Sequence, residues 1–311
     1  MAQAAPSAIR EQSPPAQSLP SPSVSPVSLP SVHPALSSLS TPPEVSPPLQ
    51  PLLDFKDSDV KFNLASLMNT LRDSRHEGWV LAAYPDPKTS RPLIGAGFSL
   101  DVAATEHVQH DALNPYPFLE PSSAQLWQAA GFGSARLQSI LDQYDRDLKK
   151  WKKKNYRRKI KTHQLPPQLT EAEAMRLLRI STIQAIHNAR AYCRDFDQLT
   201  ASQQMALSQL VYQMGVNLEE FAQFLSALND GLNDAAQPQG SIEDGSEHWK
   251  TVQLALIQSQ WARRYSTRAV AVIAMFAPDY SQDPRLAERE VQAKLHPPAA
   301  HHRKKSRAQP A

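Results

Sequence analysis

From residue 53 onward the apolar positions of this chain fall mostly at helical spacing. Leu64, Leu67, Met68 and Leu71 follow the i, i+3, i+4, i+7 pattern of one helix face, and this helix is expected to end near Gly78. The stretch 84–100, YPDPKTSRPLIGAGFSL, breaks that period with three prolines, two glycines and the apolar pair Leu93-Ile94, and predicts a small β-hairpin. A helix is expected from Ser134 into the lysine-rich run that follows, with Leu137, Ile140 and Leu141 facing inward, and Pro166-Pro167 closes that region. Thr170-x-x-Glu173 and Thr200-x-x-Gln203 both have the form of a capping box, in which two orphan N–H groups at a helix start are satisfied reciprocally. Leu207, Leu210, Val211 and Met214 continue the second of these helices to Gly215, which sits where a left-handed C-cap is wanted. Leu218, Phe221, Ala222 and Leu225 predict a third helix, 231–245 a polar loop, a further helix is expected before Trp261, and Ala269, Val272, Ile273 and Phe276 give the last, ended by Pro278. The expected fold class is α+β and mostly helical. A small lobe of helix plus hairpin precedes a larger helical lobe, with a cleft between them.

Composition sets the boundaries. Residues 1–52 hold 13 of the 27 prolines and 12 serines but only three charged side chains, too little apolar surface to offset the entropy of ordering. They read as a disordered Pro/Ser-rich spacer, and 297–311 as a disordered basic tail. The ordered body is therefore expected over 53–296, as an N-terminal lobe (53–100), an inserted region with a basic helix (101–168) and a helical lobe (169–296). With one cysteine, Cys193, the chain cannot close an internal disulfide, and no apolar run is long enough for a transmembrane helix.

Net charge is only +3, but residues 148–161 hold nine Lys/Arg and no acid. Three fates are open for the run Lys149–Lys161: the solvated face of a long helix, a tether to anionic envelope polymers or lipid head groups, or a nucleic-acid contact helped by Trp151 and Tyr156, which is the least favoured. No signal peptide is visible. Met1-Ala2-Gln3-Ala4-Ala5 has the look of the small-residue end of one, so an export signal upstream of this start and an alanine-rich beginning without meaning are equally open.

Glu77 closes the first helix and Asp86 follows nine residues later in the hairpin. Cutting a glycosidic bond needs one carboxylic acid for the leaving oxygen and one carboxylate for water or the developing cation. Two acids at this spacing are more often two solvated surface groups. The surrounding string, Glu77-Gly78, Tyr84-x-Asp86 and Ile94-Gly95-x-Gly97, resembles the opening of the phage-type lysozymes (glycoside hydrolase family 24). LTEAEAMRLL (169–178), LTASQQMALSQLVYQMG (199–215) and SQWARRYSTRAVAVIAMF (259–276) resemble that family's later helices in the same order.

The resemblance covers about 61–98 and 169–276. It implies a lysozyme-like fold and a peptidoglycan muramidase acting on the β-1,4 bond between N-acetylmuramic acid and N-acetylglucosamine. By position it assigns Glu77 as general acid, Asp86 as the carboxylate that holds the water, Arg268 as the partner of the glutamate, and Tyr212 and Gln213 as cleft-lining residues. It implies peptidoglycan strands as partner, a monomer, a location in the cell envelope (periplasmic or secreted), and neither metal nor organic cofactor. Two positions depart from the family pattern: Leu93 stands where a threonine is usual and Phe98 where a histidine is usual. Leucine cannot hydrogen-bond the attacking water, which leaves a non-catalytic glycan-binding or scaffold protein as the alternative. For Trp261, packing in the core is favoured over a sugar platform.

Overall fold

The helix starts are local decisions. The computed structural model describes residues 49–109, 111, 113–151, 165–230 and 243–297, with backbone alone for 243–245. Both expected capping boxes form. Glu173 N–H donates to Thr170 Oγ1 while Thr170 N–H donates to Glu173 Oε2, and Gln203 and Thr200 repeat the exchange. Each closes two of the donors that a helix start leaves unpaired.

In chain order the helices are α1 (Gln50–Leu53), α2 (Leu64–Arg72), α3 (Ser123–Ala129), α4 (Ser134–Trp151), α5 (Glu171–Tyr192), α6 (Ala201–Met214), α7 (Ala222–Asp230), α8 (Glu243–Ile257), α9 (Gln260–Arg264), α10 (Ser266–Ala274) and α11 (Pro284–Leu295). Short 3-10 turns cover Asp57–Asp59, Phe196–Gln198 and Gly215–Glu220. Between α2 and α3 lies an antiparallel sheet of order β1-β2-β3, made of β1 (Val80–Pro85), β2 (Pro92–Gly95) and β3 (Phe98–Ser99). The fold is thus α+β and mostly helical.

Two apolar cores share one helix. The first gathers α2, α6 and the C-terminal helices around Leu67, Leu207, Leu210 and Phe276. The second joins the sheet to α1, α3 and α4 around Ile94, Leu100, Trp127 and Tyr144. Helix α5 is about 33 Å long at 1.5 Å per residue. It gives Ala174, Leu177, Ile180 and Ile183 to the second core, and Leu178, Ala185, Ile186 and Ala189 to the first. A helix apolar on nearly all sides is what a position between two cores demands.

Several expectations are corrected. The first helix ends at Arg72, not at Gly78: Asp73 turns to extended backbone, and the N–H groups of His76 and Gly78 then donate to the Asp73 carbonyl. The spacer does not run to 52, because Leu49 and Leu52 are buried against the second core and Pro51 lies in the first turn of a short helix. The hairpin carries a third strand. The helix predicted through Leu218 and Leu225 is broken at Phe221, and α7 buries Phe224 and Leu228 instead. Gly245 belongs to α8, so the polar loop is shorter than 231–245. The helix through Val272 is not the last, because Asp283 caps a further helix with Pro284 in its first turn, a favoured place for proline. Residues 1–48 of the spacer, 152–161 of the basic run and 298–311 of the tail lie outside the described residues. Among the described residues no helix is long and apolar enough to cross a membrane.

Candidate active site

Strand β1 pairs with β2 as Tyr84↔Leu93 and Pro85↔Pro92 at one end but Val80↔Gly95 at the other, so a bulge lies between. The bulge turns the carbonyl of Leu81 out of the ladder, where it accepts from Gln168 N–H and Leu169 N–H just ahead of α5. Beyond it the pleat sorts the faces. Ala83, Ile94 and Phe98 are buried in the second core, while Tyr84 and its cross-strand neighbours Leu93 and Ser99 are half-buried on the opposite face. Asp86, two residues after Tyr84, continues that second face.

Glu77 reaches the same region from the end of the α2 turn. Its N–H donates back to Leu71 O, and Gly78 follows at φ +80°, which releases the chain into β1. Glu77 Oε1 accepts a 2.8 Å hydrogen bond from Arg268 Nη1, across 191 residues of sequence. The arginine side chain is only 9% exposed and the glutamate 22%. Glu77 Oε2 faces the β2–β3 turn: a β-carbon added at Gly97 would meet it at 3.7 Å, so a residue without a side chain keeps the space beside this oxygen open. Arg268 Nε is buried and has no hydrogen-bond partner among the described residues.

The two carboxyls have opposite electrostatics. Burial raises the pKa of Glu77 above its ordinary value, and the charge and hydrogen bond of Arg268 offset this only in part. Asp86 also feels desolvation, but hydrogen bonds from its own turn outweigh it and hold its pKa below the ordinary value. Its Oδ1 accepts from Thr89 N–H (2.7 Å), Lys88 N–H (2.8 Å) and Thr89 Oγ1 (3.0 Å). The phenol of Tyr84 is pushed up to about 12, first by burial and then by the charges of Glu77 and Asp86. Burial and the Arg268 charge lower the pKa of His76, which favours the neutral imidazole beside this pair.

The other predicted residues separate. Tyr212 donates to Ala96 O at 2.9 Å and so ties α6 to the β2–β3 turn beside Glu77. Gln213 points its Oε1 at Trp261, accepting from the indole N–H at 3.0 Å. Trp261 is 4% exposed and belongs to the first core, not to a sugar platform. Leu93 lies opposite Tyr84 on the carboxylate face and offers it only apolar surface. Gly97 and Tyr212 also line a recess of about 220 Å³ that runs over Ser99, Glu120 and Gln184. Neither Glu77 nor Asp86 lines that recess. Among the described residues no group of three His, Cys, Asp or Glu is placed to hold a metal ion.

No protein-family model matches the chain, and neither a curated protein nor a solved structure matches it.

Thr89 and Tyr84 were not singled out from sequence for what they do here. For Thr89 the signal was present, since an aspartate followed by a turn commonly folds its carboxylate onto the amides two and three residues on.

Replacing Arg268 tests the electrostatic account. Arg268→Ala removes both influences that lower the Glu77 pKa, so the midpoint of Glu77, read by carboxyl 13C titration, is expected to rise above that of the wild type. A group whose folded pKa lies above its unfolded value contributes stability at low pH, which is lost as pH rises through the folded pKa. The variant is therefore expected to unfold more easily at neutral than at acid pH, by about 1–3 kcal/mol for an unpaired half-buried carboxylate. An unchanged Glu77 midpoint would contradict the pairing.

Proposed function

We propose that the protein is a peptidoglycan muramidase with a lysozyme-like fold, cutting the β-1,4 bond between N-acetylmuramic acid and N-acetylglucosamine. The observation that carries this reading is a half-buried Glu77 hydrogen-bonded to Arg268 at the entrance of the hairpin whose turn amides hold Asp86, so that burial pushes the Glu77 pKa up while its own turn holds that of Asp86 down. Divergent pKa values in one site are how two like groups come to serve as acid and base. The order of sequence blocks that resembles the phage-type lysozymes supports the same assignment.

In this mechanism Glu77 gives its proton to the glycosidic oxygen as the C–O bond breaks. Asp86 accepts a proton from the water that attacks the anomeric carbon from the opposite face, so the product inverts. Arg268 orients Glu77 through Oε1, which leaves Oε2 toward the open space at Gly97. Tyr212 holds the β2–β3 turn that borders that space. No cofactor is required. The substrate places the working protein in the cell envelope, periplasmic or secreted, with the Lys149–Lys161 run available to anionic polymers there.

Leu93 favours a second reading. An apolar side chain on the carboxylate face gives an attacking water no hydrogen bond, so a protein that binds glycan without cutting it is the alternative.

Digestion of purified peptidoglycan by the full-length protein separates these readings, with the released ends identified by mass spectrometry. Reducing N-acetylmuramic acid ends are expected, and Asp86→Asn is expected to lower their release by at least a hundredfold, in the range of lost general-base catalysis. Anhydro-sugar ends that persist in Asp86→Asn would mean a lytic transglycosylase. Glycan binding without release would mean that the fold serves recognition alone.

A further inference from the structure

The turn that fixes the Asp86 carboxylate is itself fixed from outside the sheet. Ser90 closes it at φ +60°, a left-handed conformation uncommon for serine, and donates its N–H to Asp86 O at 2.9 Å. Asp86 N–H in turn donates to Arg91 O. The Ser90 carbonyl projects away from the ladder and accepts a 2.6 Å hydrogen bond from the hydroxyl of Tyr144. That tyrosine lies on α4, 54 residues further along, and is 3% exposed. Its ring packs edge-on against Trp151, one heptad on along the same inner face of α4. Helix α4 thus sets the phenol against the turn.

We propose that Tyr144 is a positioning residue for Asp86: its hydroxyl pins the Ser90 carbonyl and so keeps the amides of Lys88 and Thr89 aimed at the carboxylate. This rests on the muramidase reading for its bearing on catalysis, though not for the pinning itself.

The chemistry is consistent on each side. Burial and the nearby charges of Asp101, Asp145 and Asp86 push the Tyr144 phenol up to about 12, so it remains a donor throughout the range in which Asp86 titrates. The groups that act on Asp86 are the amide and hydroxyl of Thr89 and the amide and charge of Lys88, while the phenols of Tyr84 and, from α4, Tyr144 feel the Asp86 charge in turn. If the Ser90 carbonyl is freed, the turn can relax its φ, and the amides of Lys88 and Thr89 move away from Oδ1. Asp86 then loses the bonds that hold its pKa down.

The test compares full-length wild type with Tyr144→Phe, which keeps the ring in the core and removes only the hydroxyl. Asp283→Ala, which uncaps the distant α11, serves as a control for general destabilisation. In 13C-aspartate-labelled protein the Asp86 midpoint is expected to rise in Tyr144→Phe and to stay in place in Asp283→Ala. On peptidoglycan kcat is expected to fall about tenfold with KM unchanged, as for a misplaced reactive group, and the acid limb of the pH profile should follow the Asp86 midpoint upward. An Asp86 midpoint that does not move, or one that moves with no change in kcat, overturns the proposal. If the midpoint rises but even the wild type releases no glycan ends, the pinning stands and the muramidase reading fails.

Discussion

Glu77→Gln is expected to lower the release of reducing ends from peptidoglycan by roughly a hundredfold to ten-thousandfold, the range of a lost general acid, with glycan binding little changed. The amide has nearly the shape of the carboxylic acid, so the β2–β3 turn and Gly97 need not move, and its carbonyl still accepts from Arg268. What it lacks is a transferable proton. The wild-type pH profile should carry the same signature. Rate rises as Asp86 ionises, at a pH below the ordinary aspartate value because its turn amides favour the carboxylate. Rate falls as Glu77 ionises, at a pH above the ordinary glutamate value because burial opposes its charge. A Glu77→Gln protein that retains more than a tenth of wild-type turnover would remove Glu77 from the acid role, whatever the fate of Asp86.

Trp127→Ala is expected to have the largest effect on stability, about 3–5 kcal/mol for the emptied volume with about 1 kcal/mol more for the hydrogen bond lost. Trp127, on α3, is completely buried in the second core. Its indole N–H donates to Gly133 O at 3.1 Å, and its ring packs on Phe132 at 4.7 Å between centroids. The region 101–168, which reads as an insertion in the sequence, supplies through its described residues nine of the twenty buried side chains of the second core. Urea unfolding measures this directly. A loss under about 1 kcal/mol would mean that α3 and α4 can detach while the rest stays folded. The expected loss would mean that the hairpin carrying Asp86 depends on them.

Which parts of the molecule could be read in advance follows from the range of the forces involved. Gly215 ends α6 at positive φ but with ψ −133°, outside the left-handed region expected there, whereas the capped starts at Thr170 and Thr200 involve bonds within three residues, so the sequence carries them openly. So does the two-residue alternation that places Tyr84 and Asp86 on one face. The misses are of two kinds. For α11 the signal is present in Asp283-Pro284, a capping residue followed by a first-turn proline, although Pro278 marks an end to the preceding apolar pattern. For α1 there was no local signal. Leu49 and Leu52 sit in a Pro/Ser-rich context, and only the second core, supplied by distant residues, gives them something to pack against.

The candidate site divides along the same line. Glu77, Asp86 and Arg268 were proposed from the order of sequence blocks, because periodicity cannot relate residues 191 positions apart. Most helical starts, the hairpin and the two acids near its entrance are legible along the chain, since these rest on backbone bonds and side-chain patterns over a few residues. Only the tertiary structure decided that Arg268 faces Glu77, that Trp261 is core and Gln213 its acceptor, and that Leu93 lies opposite Tyr84 on the carboxylate face. It alone decided how the two carboxyls differ. A carboxyl group's pKa is set by what excludes water from it and which donors reach it, and both are supplied by segments that meet only when the chain has folded.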